Sequence, residues 1–295
     1  MQPIPFSATA NKNTAAGITA DVLRLDLLHP VISGNKWFKL KYHLQTAQRS
    51  SATIVTFGGA WSNHLIATAC AARETGLTAI GIVRGERPAI LSPTLTSALE
   101  YGMHLEFISR GEYAKKTSPA FLHQLTSRYP GAYIIPEGGA GELGIAGSED
   151  ILTRIDSSPY SHILCAIGTG TMFLGLIRAS MPHQTIIGVP ILKGFDPLSK
   201  LDPATLTTEQ TARARLLTGY HFGGYARHPQ ALLDFMNEFY RHTAIPTDIV
   251  YTGKLFYAYR DSIRNDYFPT GARLLIIHSG GLQGNQSLNS GTLQF

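Results

Sequence analysis

The chain has 295 residues, 44% of them hydrophobic and 15% charged, with a formal net charge of +5. That length suits one large or two medium domains, and the apolar content excludes a disordered chain. The basic residues are scattered, with Lys36, Lys39 and Lys41 the densest group, so no nucleic-acid partner is expected and the surplus suits small anions.

Residues 1–19 are polar and alanine-rich, without the apolar core of a secretion signal, and no apolar run approaches the roughly 20 residues of a membrane span. A cytoplasmic protein with no membrane partner is expected. Short β-branched runs predict strands at 22–28, 53–57, 78–83, 104–108, 132–135, 163–167, 185–189 and 273–278. Helical patterns between them predict helices at 35–47, 62–75, 93–101, 119–128, 140–153, 170–179, 230–242 and 253–265. In the second of these, Leu65, Ile66, Ala69 and Ala72 share one face and Gly76 is a stop signal. Such alternation predicts an α/β protein with two open parallel-type sheets flanked by helices, which bind ligands at the carboxyl ends of strands. The units from about residue 53 to 135 suffice for a sheet of their own, with a cleft against the rest. Cys70 and Cys165 lie in apolar segments, which favours two buried thiols over a disulfide.

The loops carry the chemistry. Ser33-Gly34-Asn35-Lys36 offers a lysine at the mouth of a helix, and Gly58-Gly59-Ala60-Trp61-Ser62-Asn63-His64 offers a hydroxyl, an amide and an imidazole at the mouth of the next. A lysine amine beside such a cradle suits Schiff-base formation with an aldehyde cofactor. The plainer alternative is that Ser62 only caps its helix while Asn63 and His64 face water. Gly168-Thr169-Gly170-Thr171 follows a strand and opens a helix, so its backbone N–H groups and hydroxyls form a phosphate cup, unless it is a ligand-free tight turn. Gly175 reads as a close-packing glycine. No acidic residue ends the next strand, which runs into Pro190, so one phosphate fits better than a dinucleotide.

Further on, Tyr251 precedes a helix, over the cleft or simply buried, and Ser279 puts a hydroxyl at a strand end. Opposite a pyridine nitrogen, an uncharged hydroxyl would leave that nitrogen largely unprotonated; the alternative is an ordinary turn residue. Pro136-Glu137-Gly138-Gly139-Ala140-Gly141 leads into a helix and is expected to line the cleft. The eleven histidines form no HExxH and no Cys/His cluster, so no metal site is expected.

In order and spacing, Ser33-Gly34-Asn35-Lys36, Ser62-Asn63-His64, Gly168-Thr169-Gly170-Thr171, Tyr251-Thr252-Gly253-Lys254 and His278-Ser279-Gly280-Gly281 resemble the 1-aminocyclopropane-1-carboxylate deaminase/D-cysteine desulfhydrase family. The resemblance covers nearly the whole chain. It implies a pyridoxal 5'-phosphate enzyme with the tryptophan-synthase-β-like fold, acting on a small amino acid, with a homodimer as the expected assembly. It makes Lys36 the Schiff-base lysine and base for the α-proton, and Asn63 the partner of the cofactor's phenolic oxygen. Gly168, Thr169, Gly170 and Thr171 would bind the phosphate, and Ser279 would face the pyridine nitrogen. Ser62, Asn63, His64 and Tyr251 would bind the substrate, with Ser62 and Tyr251 joining Lys36 as catalytic residues.

Residues 41–137 are expected to form a small domain, and 1–40 with 138–295 a large cofactor-binding one. The chain departs from the family pattern at Phe38, where a basic residue is usual, and at Met172, where threonine is usual. Thr252 stands where ring-opening deaminases typically carry glutamate, and Ser279 where they usually carry leucine. The expected reaction is therefore D-cysteine desulfhydrase-like α,β-elimination to pyruvate, ammonia and sulfide. The alternatives are a 1-aminocyclopropane-1-carboxylate deaminase, a β-replacement or dehydratase enzyme, a non-catalytic cofactor-binding module and a nucleotide-binding oxidoreductase.

Overall fold

A computed structural model describes residues 6–8, 17–199 and 205–295. The described residues run β1 (Phe6–Ala8), β2 (Thr19–Arg24), α1 (Asn35–Ser50), β3 (Thr53–Gly58), α2 (Asn63–Thr75), β4 (Thr78–Arg84), α3 (Pro93–Glu100), β5 (His104–Ile108), α4 (Arg110–Ala114), α5 (Pro119–Arg128) and β6 (Tyr133–Ile134). They continue α6 (Glu142–Thr153), β7 (His162–Ile167), α7 (Thr171–Ala179), β8 (Thr185–Pro190), α8 (Thr208–Ala212), β9 (Ala214–Leu216), α9 (Gln230–Thr243), α10 (Thr252–Arg264) and β10 (Arg273–His278).

The strands form two sheets. The larger has the order β1-β2-β10-β7-β8-β9 and the smaller β5-β4-β3-β6. Every pairing is parallel except that of β1 with β2. Every strand of the smaller sheet lies between Thr53 and Ile134, and those of the larger sheet lie outside that range. Among the described residues, no helix is long and apolar enough to cross a membrane.

The near-continuous apolar runs follow from burial on both faces. Along β7, Leu164 and Ala166 join one core with Leu232, Phe235 and Phe256 of α9 and α10. Their neighbours Ile163, Cys165 and Ile167 join another with Ile151, Phe173 and Leu176 of α6 and α7. The smaller sheet repeats the device: Ile54 packs with Leu40 and Leu65, while Val55 and Phe57 pack with Tyr113 and Leu125. Cys70 and Cys165 are buried free thiols.

All eight expected strands and eight expected helices are present. The first strand lies earlier than expected. It pairs with β10 from Thr19 to Arg24, and the chain then tightens into a 3-10 turn at Leu25–Leu27. Arg24 Nε and Nη2 fork onto Asp26 at 2.8 and 2.6 Å across that turn. Gly175 serves close packing: a Cβ there would stand 2.5 Å from Ser148 Cβ on α6. The two departures at Phe38 and Met172 are core residues, both in the cluster between α1, α6 and α7. Volume at those positions is used for packing, so neither leaves a gap.

Candidate active site

Two loops meet first. Gly34 has φ +65°, and the N–H of Asn35, the first residue of α1, donates to Ser279 O at 3.1 Å. This fixes the start of α1 against the turn after β10. Lys36 Nζ then donates to Asn35 Oδ1 at 2.8 Å. Burial lowers the Lys36 amine to about 8, although the Asp248 carboxylate pulls the other way.

Lys36, Lys39 and His43 recur at i, i+3 and i+7, so α1 turns a polar stripe inward. Lys39 is only 3% exposed, and its Nζ donates to Thr169 Oγ1 at 3.2 Å. Thr169 Oγ1 lies 3.0 Å from Thr171 Oγ1. Burial, and secondarily the charge of Lys36, hold Lys39 well below its ordinary value. No carboxylate contacts either amine among the described residues. The Lys39 amine and two hydroxyls beside a helix N-terminus suit an anionic group. Sequence reasoning missed Lys39; the signal available was its position one turn after Lys36.

The loop after β3 supplies the second wall. Ser62 is the cap of α2, its Oγ accepting from Leu65 N at 3.3 Å. Asn63 Nδ2 donates to Gly281 O at 3.1 Å, joining this loop to the turn after β10. Asn63 Oδ1 is buried with no partner among the described residues. His64 is buried rather than facing water. Its Nε2 meets Thr56 Oγ1 at 2.8 Å and its Nδ1 is unpartnered. Burial, with Lys36 and Lys39 nearby, holds its pKa well down, so the ring is neutral.

The third wall comes from α10. Asp248, wholly buried, accepts from the N–H groups of Val250 (2.8 Å), Tyr251 (2.9 Å) and Thr252 (2.8 Å) and from Thr252 Oγ1 (2.7 Å). A carboxylate fits there because the first N–H groups of a helix lack intrahelical partners. Tyr251 is thereby held with its ring against Gly168, where a Cβ would lie 2.9 Å from Tyr251 Cε1. Burial, then contact with Tyr225, pushes the Tyr251 hydroxyl well up, so it stays protonated. Lys254 Nζ, one turn into α10, donates to the carbonyls of His221 (3.0 Å) and Gly224 (2.7 Å). That clamp carries Tyr225 to Tyr251, with ring centroids 6.4 Å apart. Asp248 and Tyr225 were not singled out from the sequence; the Asp-x-x-x-Thr start of α10 is the signal for the first. Ser279 is buried, and its hydroxyl takes no protein partner among the described residues.

Replacing Asp248 by alanine is expected to lower the unfolding free energy by roughly 3–5 kcal/mol, because four buried donors lose their acceptor. Denaturant titration measures it. Asp248→Asn, which keeps an acceptor oxygen, is expected to recover part of the loss.

Contacts between these loops thus join Lys36 to Ser279 through Asn35, Lys39 to Thr169 and Thr171, Asn63 to Gly281 and Tyr251 to Gly168, with Ser62 capping α2 and His64 buried on Thr56. The model of the family described as "Pyridoxal-phosphate dependent enzyme" matches residues 10–280. The chain belongs to the pyridoxal-phosphate dependent enzyme family. A provisionally assigned 1-aminocyclopropane-1-carboxylate deaminase of Thermotoga maritima is 29% identical, over 96% of this chain and 95% of its own length. The bifunctional D-cysteine desulfhydrase/1-aminocyclopropane-1-carboxylate deaminase of Arabidopsis thaliana is 28% identical, over 89% of this chain and 72% of its own. Among solved structures, an ACC deaminase homologue superposes with a TM-score of 0.82 at 25% identity, over 97% of this chain and 91% of that one.

This pyridoxal-phosphate dependent enzyme therefore has the tryptophan-synthase-β-like fold. Its residues fit the cofactor. The amine–hydroxyl cup at Lys39, Thr169 and Thr171 suits an anionic group, and Asn63, with one Nδ2 hydrogen given to Gly281 O, keeps a second to donate. The depressed pKa of Lys36 suits an amine that must be neutral to attack an aldehyde.

Proposed function

We propose that the protein catalyses α,β-elimination on a small amino acid, D-cysteine being the type substrate, with release of pyruvate, ammonia and sulfide. The observation that carries this reading is Lys36, its pKa lowered to about 8 by burial, at the start of α1 one turn before Lys39 of the anion cup. Bound pyridoxal phosphate would supply an electron sink conjugated to the substrate Cα.

The chain's own residues do the rest. Lys39, Thr169, Thr171 and the amides from Gly168 onward would hold the phosphate. Ser279 would offer the pyridine nitrogen an uncharged hydroxyl. Ser62 and the amides that follow it would hold the substrate carboxylate, with Asn63 at the cofactor's phenolic oxygen and His64 supporting both from Thr56. Lys36 Nζ would take the proton from Cα. Tyr251, kept protonated, would flank the substrate and could give a proton but not take one. The Cα–H and Cβ–S bonds break, a Cα–Cβ double bond forms, the thiol leaves as sulfide, and water hydrolyses the enamine to pyruvate and ammonia.

Thr252 favours elimination over ring opening. Its hydroxyl is committed to Asp248 and its side chain is wholly buried, so no carboxylate enters the cleft from that position. The test is a panel of D- and L-amino acids assayed for keto-acid release. Pyruvate and sulfide from D-cysteine, without 2-oxobutanoate from 1-aminocyclopropane-1-carboxylate, is the expected outcome; the reverse result makes the chain a deaminase. We further propose that residues 41–137 move as a small domain over the cofactor site and that the protein is a homodimer, which sedimentation measures directly.

A further inference from the structure

Parallel strands align their carboxyl ends. Gly58 at the end of β3 pairs with Val83 on β4, and Arg84 pairs with Ile108 at the end of β5. The loops that follow therefore open on the same edge as Ser62 and Asn63. Arg84 reaches back across this edge: its Nη2 lies 3.5 Å from where a Cβ on Gly59 would be. Its guanidinium also stands 5.9 Å from the centre of the Tyr113 ring, a cation–π distance. Beside it is an open hollow of about 400 Å³, lined by Ala60, Arg84, Glu86, Phe107 and Arg110 among others, with its three charged side chains exposed.

The charges around this cavity are unbalanced. Among the described residues, Arg24, Arg128, Arg178, Arg213 and Arg260 each pair with a carboxylate. Arg84 and Arg110 make no ion pair or hydrogen bond there. Glu86 also lines the cavity but pairs with neither arginine, and Glu137 is engaged by Tyr113 Oη at 2.7 Å and Lys116 Nζ at 3.2 Å. The cavity adjoins Ala60, two residues before the Ser62 cap. Its volume exceeds what a thiol requires and falls in the range of small-ligand sites.

We propose that Arg84, with Arg110, forms a distal subsite for a second anionic group on the amino-acid substrate, beyond Cβ. This rests on the reading that the carboxylate of an amino acid binds at Ser62 and Asn63. It extends the substrate class from D-cysteine to amino acids that carry an anionic group on the β-substituent. A substrate held by its carboxylate at the α2 N-terminus would extend past Ala60 and place that group between two guanidinium forks.

The test is calorimetric titration of the holoenzyme with two unreactive probes of one shape. 3-Phosphonopropanoate carries the second anion, and 4,4-dimethylpentanoate replaces it with a tert-butyl group. Wild type is expected to bind the phosphonate at least about tenfold more tightly, with an advantage that shrinks as salt rises. Arg84→Gln should cut the advantage below about threefold without weakening the tert-butyl probe, and Arg110→Gln should fall between. A phosphonate bound no more tightly than its isostere by wild type overturns the proposal. So does an advantage that survives in the Arg84→Gln/Arg110→Gln double variant. Neither probe carries an amine, so the result is independent of turnover. Failure of the keto-acid assay and failure of this subsite are thus separate outcomes.

Discussion

Substituting Lys36 by alanine is expected to cut keto-acid release from every amino acid by at least about 10⁴-fold, the upper end of what one positioned proton-transfer group supplies. Borohydride should fix the cofactor covalently in wild type and not in Lys36→Ala. The variant should still take up pyridoxal phosphate without a covalent bond, because Lys39, Thr169 and Thr171 remain. Retained keto-acid release would mean that another residue is the base. The cofactor-free wild type adds a pH signature. With Lys36 near 8, roughly a quarter of the amine is neutral at pH 7.5, against roughly one part in a thousand at its ordinary value. Covalent loading should therefore quicken as pH rises through about 8 and level off above it. Stability carries the same sign. Between about 8 and 10.5 the unfolded lysine holds a proton that the folded one has lost, so the cofactor-free protein should gain stability as pH rises across that window. Lys254, lowered to about 8 as well, adds to the trend. Loading that is flat from pH 7 to 9 would mean that the Lys36 amine is not held low.

The parts of this chain that were legible in its sequence are those fixed by local physics. The long strands showed because burial on both faces demands unbroken apolar runs, as in Ile163–Ile167 of β7, and the two-residue β6 showed through the apolar run around it. The Ser62 cap and the Gly168–Thr171 turn showed because a strand-to-helix switch needs those residue types. β1 and β9, three residues each at the two edges of the larger sheet, did not show: each is held by hydrogen bonds to a single neighbour. The short helices α4 and α8 each begin with a capping box, Ser109 with Glu112 and Thr207 with Gln210, a signal that was present and went unread. Lys39 was invisible for a different reason. Its burial exists only once Thr169, 130 positions away, is folded against α1. Tyr225 likewise depends on the Lys254 clamp, and Arg84 on the parallel register of β3, β4 and β5. The chemistry of the cofactor is thus written in contiguous motifs, while the groups that shape the rest of the cleft are assembled by long-range packing.

Gly34→Ala is expected to be among the most damaging single-methyl changes in the chain, for a reason its neighbours make quantitative. A Cβ at position 34 would stand 1.8 Å from Ser279 O and 2.2 Å from Ser279 C, both backbone atoms that cannot swing aside. The φ of +65° with ψ of −137° lies outside the left-handed well and adds a backbone penalty of about 1–3 kcal/mol. Relief requires the turn after β10 to retreat, which breaks the Asn35 N–H to Ser279 O bond and unseats Lys36 and Ser279 together. A loss of at least about 3 kcal/mol in unfolding free energy is expected, with loss of covalent cofactor loading. Gly76 is the control. Its φ of +71° and ψ of 19° lie in the left-handed well, and a methyl there meets no atom within 4 Å. Gly76→Ala should therefore show the backbone penalty alone, about 1 kcal/mol, and load cofactor normally. Side-by-side denaturation and borohydride fixation separate strain from collision. If the two variants prove equally stable and equally loaded, the close approach of the two loops is not what holds Lys36 in place.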